Sequence, residues 1–442
     1  MTTSLLSLLS YGSSSIQRTN SSISTTAGNL GNVNTEGYSR QRTDDRGNAV
    51  RIADNLLSRQ IHSAAGALSG SQTSAGALSD LEADLTSGGT LDGQLGNLFA
   101  KLSTASATPT DSGARNAVLA SARALATGVQ QRSAQVGTAQ RDTDQRIRDG
   151  ATSVTSLANQ LAAANAAVAK SGDPAALDQR DKVAKQLGQL VGGQARIDAD
   201  GQLRYTLDGG AVLVDGTHAA SLTATADPTT GLAQLGVVDG NATRDVTAAI
   251  TGGSVGANLA FRDRTLAGVQ AQLDQVAYDV TTSFNAVHAA HAGLDGATGR
   301  NLFVPLTQVA GAAQKIALDP AIDADPSKLA LATPGAGPGD NAGALALFAL
   351  GDQKVASGGS KTLGDAAIDV VAGVAQASAD AKAQVTSQGL IASHLDGLRD
   401  SLSGVDSQEE MTNLARFQNA SSAMTKVVST INDMLSSLID AL

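Results

Sequence analysis

The sequence of 442 residues contains no cysteine and no tryptophan, and aromatic residues make up only 2% of it. Without cysteine, neither disulfide bonds nor thiolate chemistry is available. The scarcity of aromatics argues against the stacking platforms that bind single-stranded nucleic acids. Charged residues are also few, at 16%, and the net charge of −10 argues against a nucleic-acid-binding surface. No apolar run approaches the ~20 residues that a membrane-spanning helix needs.

Alanine supplies much of the apolar content, which is 42% of the sequence. A core of Ala, Leu and Val suits closely packed helices better than a large β-sandwich or a cofactor pocket, and the length predicts two or three domains. Residues 1–10 lack the basic region of an ordinary secretory signal peptide. The sequence has no G-x-S-x-G elbow, H-E-x-x-H zinc motif or nucleotide fingerprint, so we expect no enzyme activity, metal, cofactor or catalytic residue.

The clearest helical pattern runs from Ser407 to the end of the chain. Apolar or small residues recur there at alternating steps of three and four, which is the a/d pattern of a helix that buries one narrow stripe against another helix. Ser407 and Glu410 have the spacing of a capping box and predict the start of the helix. We interpret the stripe, which is interrupted by Ser421, as an assembly interface. Its residues are Leu414, Phe417, Met424, Val428, Ile431, Leu435, Leu438 and Leu442.

A second heptad pattern occupies the N-terminus and predicts a helix. Its adjacent seam is small or hydroxylic at Gly12, Thr19 and Thr26, so a lone helix would be marginal in water. One interpretation is an ordinary amphipathic helix in a globular core. The interpretation we favour is pairing with the C-terminal helix, completed only on assembly. The predicted interface residues are Leu5, Leu9, Ile16, Ile23, Leu30 and Val33.

Three asparagines and two glycines at the end of this helix predict helix termination and a turn. The stretch reads Asn29-Leu30-Gly31-Asn32-Val33-Asn34-Thr35-Glu36-Gly37-Tyr38-Ser39-Arg40-Gln41. It resembles the N-terminal signature A-N-x-x-A-N-x-N-T-P-G-Y of the flagellar axial proteins, the family of rod, hook and hook-associated proteins, with Glu36 in place of the usual Pro. The residues of this signature turn are Asn29, Asn32, Asn34, Gly37, Tyr38 and Arg40.

Three later segments resemble the same family and, within it, the hook-associated protein 1 family. One is L-D-Q-R-D at 177–181, which by itself predicts a short helix with ordinary surface ion pairs. Another is F-N-A-V-H at 284–288. The most specific is residues 403–414, which are similar to the family's S-G-V-x-x-x-E-E-x-x-N-L.

The resemblance implies a structural, self-associating protein at the junction between the hook and the filament of the bacterial flagellum. It also implies export through the flagellar type III apparatus and an extracellular location. The implied partners are further copies in a ring, the hook protein, hook-associated protein 3 on the filament side, and an export chaperone, without nucleic-acid binding or membrane insertion. Two alternatives stay open: another axial protein, such as the hook protein or hook-associated protein 3, and a secreted coiled-coil effector or adhesin.

Between residues 192 and 258 the pattern changes to short β-like runs, which predict a small β-rich module. Asp-Gly steps predict its hairpin turns. The charged strip at 42–60 is interpreted as a solvated connector, with salt-bridge packing onto a neighbouring subunit as the alternative. His288 and His291 are three residues apart, but no third ligand is well placed, so we expect no metal there. The predicted turns are Asp200-Gly201, Asp208-Gly209, Asp215-Gly216 and Asp239-Gly240.

The predicted fold is therefore mainly α, with paired coiled-coil-like terminal helices, an elongated helical-bundle domain and a small inserted β-rich domain. The predicted domains are a terminal helical assembly domain at 1–42 and 405–442, a rod-like helical domain at 43–191 and 259–404 with an irregular Pro/Gly-rich segment at 301–340, and an outer β-rich module at 192–258.

Overall fold

The computed structural model describes the backbone of residues 2–440 and the side chains of residues 5–440. It confirms a mainly helical chain with long terminal helices and a small β-rich insert. The helices are α1 Thr2–Gly31, α2 Asn55–Thr86, α3 Leu91–Ala107, α4 Ser112–Ser171, α5 Pro174–Val191, α6 Gly253–Ala260, α7 Ala267–Ala289, α8 Ala312–Lys315, α9 Pro320–Asp323, α10 Ala342–Ala349, α11 Leu363–Ser403 and α12 Ser407–Asp440. The strands are β1 Gln41–Thr43, β2 Ala49–Arg51, β3 Gln194–Ile197, β4 Leu203–Thr206, β5 Val212–Asp215, β6 His218–Ala219, β7 Ser221–Ala226, β8 Ala233–Asp239 and β9 Ala242–Asp245.

Contacts within the chain divide it into two compact units. The first unit contains the residues up to Gly70, Arg148–Gly256, and the residues from Thr386 onward. The second unit contains Ser71–Ile147 and Ala257–Val385. The helices α2, α4, α6 and α11 therefore contribute residues to both units.

The core of the second unit forms around α3, α4, α7 and α10. Phe284 of α7 stacks on Phe99 with ring centroids 5.8 Å apart and meets Phe303 edge-on at 6.0 Å. Such ring pairs stabilise a core beyond the area that they bury. The apolar positions of α3 recur at helical spacing and face this core. They are Leu91, Leu95, Leu98 and Leu102, all of which are buried.

A polar face of α7 fixes the irregular segment that follows it. Buried Asp274 accepts hydrogen bonds from the backbone N–H groups of Gly311, at 3.0 Å, and Ala313, at 2.8 Å. His288 is fully buried, and its Nε2 accepts from the backbone N–H of Ala330 at 2.9 Å. Its Nδ1 therefore carries the proton and donates to the carbonyl oxygen of Arg300 at 2.7 Å. Burial lowers the pKa of His288, which favours the neutral ring that both bonds require.

The β-rich insert of the first unit consists of two antiparallel sheets, with strand orders β3-β4-β5-β6 and β7-β8-β9. The predicted Asp239-Gly240 turn joins β8 to β9, where Asp239 pairs with Ala242. Gly240 has a φ of 57°, which suits glycine at the first central position of a hairpin loop. The two ends of the insert meet at glycines, because a Cβ added to Gly192 would lie 2.9 Å from the Cα of Gly252. The chain thus enters and leaves the insert through a close backbone contact.

The predicted pairing of the terminal helices is confirmed, since α1 packs along α12. The Ser421 hydroxyl donates to Asn20 Oδ1 at 3.2 Å. A Cβ added to Gly12 would lie only 2.7 Å from Val428 Cγ2, so glycine permits the close approach at that point. Residue numbers fall along α12 as they rise along α1. The two helices are therefore antiparallel.

The predicted capping box of α12 is wrong. The backbone N–H groups of Gln408 and Glu409 donate to the side chain of Asp406, at 2.8 and 3.0 Å. Asp406 therefore caps the helix one residue before Ser407, as aspartate does well at this position. The carboxylate of Glu410 is left for other partners.

The strip interpreted as a solvated connector instead begins with the hairpin of β1 and β2. Asp44 shapes its turn, because one carboxylate oxygen accepts from the backbone N–H groups of Arg46, at 2.9 Å, and Asn48, at 2.8 Å. Arg51 follows at the end of β2, and its side chain is only 8% exposed. The interpretation as a solvated connector is therefore wrong at this hairpin.

Candidate functional site

The signature turn is folded around Asn29, which is 1% exposed near the end of α1. Its Nδ2 donates to the carbonyl oxygen of Gln41 at 2.9 Å and to Glu410 Oε2 at 3.1 Å. Its Oδ1 accepts from the backbone N–H of Gln41 at 3.0 Å and from the Tyr38 hydroxyl at 2.9 Å. These four bonds use the full capacity of the side-chain amide. An aspartate here would lack both donors.

Charged side chains join the turn to the first residues of α12. Glu410 is 2% exposed, and its Oε1 accepts from Arg40 Nε at 2.7 Å. The two Nη groups of Arg40 donate to Glu409, at 2.6 and 3.2 Å. The backbone N–H of Arg40 donates to the carbonyl oxygen of Ser403 at 2.8 Å. Removing one partner from a buried ion pair generally costs about 3–5 kcal/mol, because the other charge is left buried and unpaired, so the start of α12 depends on both Arg40 and Glu410 being present.

The surroundings of Tyr38 extend the pH range in which its phenol is protonated. Removal of the ring from water raises the pKa of Tyr38 to about 12, and the nearby carboxylates of Asp178 and Glu410 add to the effect. A phenol is already protonated at neutral pH, so the shift keeps the hydrogen bond that Tyr38 donates to Asn29 intact into alkaline conditions.

The other side of the turn binds carboxylates of α5. Asp178 accepts from the backbone N–H of Ser39 at 3.1 Å and from its hydroxyl at 2.7 Å. Arg51 Nη1 lies 3.1 Å from Asp178 Oδ1 and 2.8 Å from Asp181 Oδ2. The prediction of ordinary surface ion pairs in the L-D-Q-R-D segment is wrong, because the side chain of Asp178 is only 12% exposed.

The arginine of the same segment reaches the β-rich insert. Arg180 is 1% exposed, and its Nη1 donates to the carbonyl oxygen of Gly201 at 2.8 Å. Desolvation lowers the pKa of Arg180, while the neighbouring Asp181 opposes that shift. The L-D-Q-R-D segment therefore holds the signature turn through Asp178, Arg51 at the end of β2 through both aspartates, and a hairpin of the insert through its arginine.

Three segments that are far apart in the sequence converge at this place: the signature turn, the L-D-Q-R-D segment of α5 and the Glu-Glu pair of α12. The hydrogen-bond donors and acceptors of this cluster bind one another. The cluster therefore holds the three segments together and is not arranged as a reactive centre. Among the described residues, no group of three or more His, Asp or Glu is placed to hold a metal ion. We name this cluster the polar junction, and its members are Asn29, Tyr38, Ser39, Arg40, Arg51, Asp178, Asp181, Glu409 and Glu410.

Most of the predicted interface residues lie on the facing seams of α1 and α12. Val33 does not, because it lies beyond the end of α1 and is 40% exposed, and Leu442 lies outside the described residues. Ile431 is buried. The contribution of the predicted interface residues to contacts between subunits stays a prediction. The half-buried members are Leu5, Leu9, Ile16, Ile23, Leu30, Leu414, Phe417, Met424, Val428, Leu435 and Leu438.

Asn32 and Gly37 shape the signature turn beside Asn29. Asn32 Nδ2 donates to the carbonyl oxygen of Gly28 at 2.9 Å, and the carbonyl oxygen of Asn32 accepts from the backbone N–H of Thr35 at 2.9 Å. Gly37 has a φ of 82°, in the left-handed region that favours glycine. Asn34 is exposed. The turn therefore forms with Glu36 at the position where the family usually has proline.

Sequence reasoning missed Arg51, Asp178 and Asp181 as functional residues. Their local pattern is that of charged residues on a solvated surface, and nothing within either segment shows that the two meet. The available signal was the resemblance of the L-D-Q-R-D segment, which marked Asp178 and Asp181 without explaining them; Arg51 had no such signal. No helix among residues 2–440 is long and apolar enough to cross a membrane.

Comparison with known proteins agrees with this architecture. Residues 78–303, about half of the chain, match the family described as "Flagellar hook-associated protein FlgK helical domain". Residues 400–441 match the family described as "Flagellar basal body rod FlgEFG protein C-terminal". The second match contains the whole of α12.

Two curated relatives and one solved structure extend the match. The chain is 24% identical to flagellar hook-associated protein 1 of Escherichia coli strain K12, covering 98% of this chain and 99% of that protein. It is 26% identical to flagellar hook-associated protein 1 of Bacillus subtilis strain 168, covering 95% of each. The flagellar hook junction protein FlgK from Burkholderia pseudomallei has a similar fold, with a TM-score of 0.70 at 18% identity over 78% of this chain and 100% of that one. Together with the family match, these relatives establish that the chain belongs to the flagellar hook-associated protein FlgK family.

Proposed function

We propose that this chain is a structural subunit of the bacterial flagellum that joins hook to filament by self-association of its terminal helices. The observation that carries the proposal is the polar junction, where the three family-like segments hold the start of α12 against the rest of the first unit. The relatives matched over nearly their whole length are named hook-associated protein 1. The match to the FlgK helical domain favours this role over that of the hook protein or of hook-associated protein 3.

The outer faces of the terminal helices supply apolar surface for neighbouring subunits. Leu8 and Tyr11 of α1 are 50% and 62% exposed. A second stripe runs along the middle of α12, one residue before each seam position from Ser421 to Leu435, and burying it against another copy would contribute roughly 25 cal/mol per Å² of apolar surface. Its exposed members are Ala420, Ala423, Val427, Thr430 and Met434.

In this proposal, residues 1–42 and 405–442 act as the assembly domain, and residues 192–258 act as an outer module. The remaining helical segments, 43–191 and 259–404, form the rod-like domain. The partners are further copies in a ring, the hook protein, hook-associated protein 3 on the filament side, and an export chaperone. The chain reaches its extracellular place through the flagellar type III apparatus and works without enzyme activity.

The test is the position of a labelled copy on isolated hook–filament structures. The Gly240-Asn241 loop between β8 and β9 is exposed and accepts the label away from both terminal helices. We expect a single labelled zone at the distal end of the hook. A uniform coat along the filament, or a protein found only in solution, would contradict the proposal.

A matched pair of variants tests the second stripe in the same experiment. Val427→Asp with Met434→Asp places charges on the stripe, and we expect this variant to be exported but absent from the structure. Thr425→Asp with Asn432→Asp places the same charges at the same spacing on the face of α12 opposite to the second stripe, where both residues are exposed. This control should join the structure normally. Equal incorporation of both variants would remove the second stripe from the proposed interface.

A further inference from the structure

The seam between α1 and α12 leaves the relative register of the two helices weakly specified. Small or hydroxyl-bearing side chains occupy several of its positions, among them Gly12, Thr19 and Ser421. Because the apolar stripe repeats at steps of three and four, a slip by four residues would again bring every second member of the stripe onto a stripe position. Apart from the close approach of Val428 to Gly12, packing along the seam therefore does not select one register strongly.

The contacts of the polar junction, in contrast, form in only one register. Asn29 Nδ2 and Glu410 Oε2 meet at 3.1 Å although the residues are 381 positions apart, and both side chains are almost fully buried. A slip by four residues would move Glu410 by about 6 Å along the axis of α12, at 1.5 Å per residue. That distance breaks the contacts of Glu410 with both Asn29 and Arg40 Nε. The freed carboxylate and the freed donors would lose partners that they need when buried.

We infer that the buried contacts of Glu410 with Asn29 and Arg40 set the register of α12 on α1. Buried polar groups in permissive helix pairs are known to select one register at some cost in stability. Asn29 is suited to this task because its three other hydrogen bonds, to Gln41 and Tyr38, fix the direction of its amide. Glu410 is thus a positioning residue for the second stripe as well. A slip by four residues would displace every exposed group of α12 by a full helical turn.

The absence of cysteine from the sequence makes the register directly measurable. Asn20→Cys with Ser421→Cys joins positions whose side chains touch at 3.2 Å, so its disulfide reports the native register. Asn20→Cys with Thr425→Cys reports the register slipped by four residues. The full-length protein is oxidised at high dilution, and the intramolecular disulfide is quantified in the monomer by mass spectrometry. The ratio of the two yields reports register independently of how often the helices are paired.

Removing the junction contacts should change this ratio. We expect Glu410→Ala and Asn29→Ala each to lower the ratio of native to slipped disulfide several-fold, since each removes the contact that distinguishes the registers. Glu409→Ala is the matched control, because it removes the more exposed carboxylate that binds the same Arg40. The ratio should stay unchanged in the control.

Two outcomes would overturn the inference. If Glu410→Ala changes both disulfide yields by the same factor, the junction anchors α12 without choosing its register. If Glu409→Ala lowers the ratio as much as Glu410→Ala does, the net charge near Arg40 is responsible rather than the buried contact. An unchanged ratio of native to slipped disulfide in Asn29→Ala would show that the side-chain amide of Asn29 does not help to set the register.

Discussion

The terminal helix pair and the core of the second unit use the same heptad-like pattern but bury it to different extents. In the second unit, Leu98, Leu102 and Phe284 are completely buried. In the pair, Ile431 is buried, whereas Phe417 is half-buried and Met434 on the outer face is 49% exposed. The number of elements around a helix, and not its apolar pattern alone, decides whether its core is complete within one chain.

The two regions also use buried polar groups differently. In the second unit, Asp274 and His288 hold backbone groups of an irregular segment around a core that is already dense. At the polar junction, Glu410 and Asn29 fasten one end of a helix pair that has little apolar burial of its own. Loss of a polar contact therefore has different consequences in the two places. In the helix pair, it removes a large share of what holds the helices together.

The largest expected difference between the two regions is in amide hydrogen exchange. In a free monomer, we expect the amides of α1 and α12 to exchange at least about a thousandfold faster than those of α7, because local opening energies range from near zero at thinly buried elements to the global stability in a core. Exchange followed by mass spectrometry on the full-length chain measures this directly. Slow exchange in both terminal helices of a demonstrated monomer would contradict the expectation that the helix pair, unlike the core of the second unit, is incompletely buried within one chain.

The elements that depend on local pattern could be predicted from the sequence. The seams at the two termini predicted both long helices, and the Asp239-Gly240 step predicted the turn between β8 and β9. The hairpin of β1 and β2 was missed because each strand is only three residues long, contains an arginine and buries no side chain fully. The capping box failed because Asp406 and Ser407 are both good caps, and only the backbone path chooses between them.

The polar junction could be predicted only in part, since charge patterns do not reveal their partners. Asp178 and Arg51 look like solvated residues in their own segments, and their contact spans 127 positions. Buried arginines of the second unit show the same limit. Arg115 donates to the carbonyl oxygen of Leu329 at 2.7 Å, and Arg132 to that of Leu85 at 2.8 Å. Because these partners are uncharged backbone carbonyl groups, the pattern of charged residues in the sequence does not reveal them.

Acid should weaken the second unit through a group that the terminal helix pair lacks. The folded state lowers the pKa of His288, whereas the unfolded chain titrates near pH 6.5. Below that pH the unfolded state binds more protons, so the stability present above it is lost as pH falls, by up to about 1.4 kcal/mol per pH unit. Neither α1 nor α12 contains histidine.

Amide exchange of α7, corrected for the intrinsic pH dependence, measures this loss between about pH 7.5 and 5, the range in which histidine titrates. His288→Gln should flatten the dependence, while His394→Gln, at an exposed position outside the second unit, should leave it unchanged. A dependence that persists in His288→Gln would assign the acid sensitivity to another group.

The smallest expected effect is at Gly12, where glycine permits a close approach of the two helices. Gly12→Ala favours the helical state by about 0.5–1 kcal/mol through backbone entropy, but its Cβ would lie 2.7 Å from Val428 Cγ2. We expect the clash to cancel this gain in the wild-type background, and Val428→Ala to restore it, giving a coupling energy of about 1 kcal/mol. The equilibrium constant of the Asn20→Cys/Ser421→Cys disulfide against glutathione reports the stability of the pair.

Gly28→Ala provides the matched control for this cycle, because a Cβ added there would meet nothing within 4 Å. It should stabilise α1 to a similar degree in both backgrounds, with no coupling to Val428. Zero coupling between Gly12 and Val428 would mean that the two helices separate slightly at little cost. The seam would then contribute less to the pair than its half-buried residues indicate, and the polar junction would be the main contact that keeps α12 on α1.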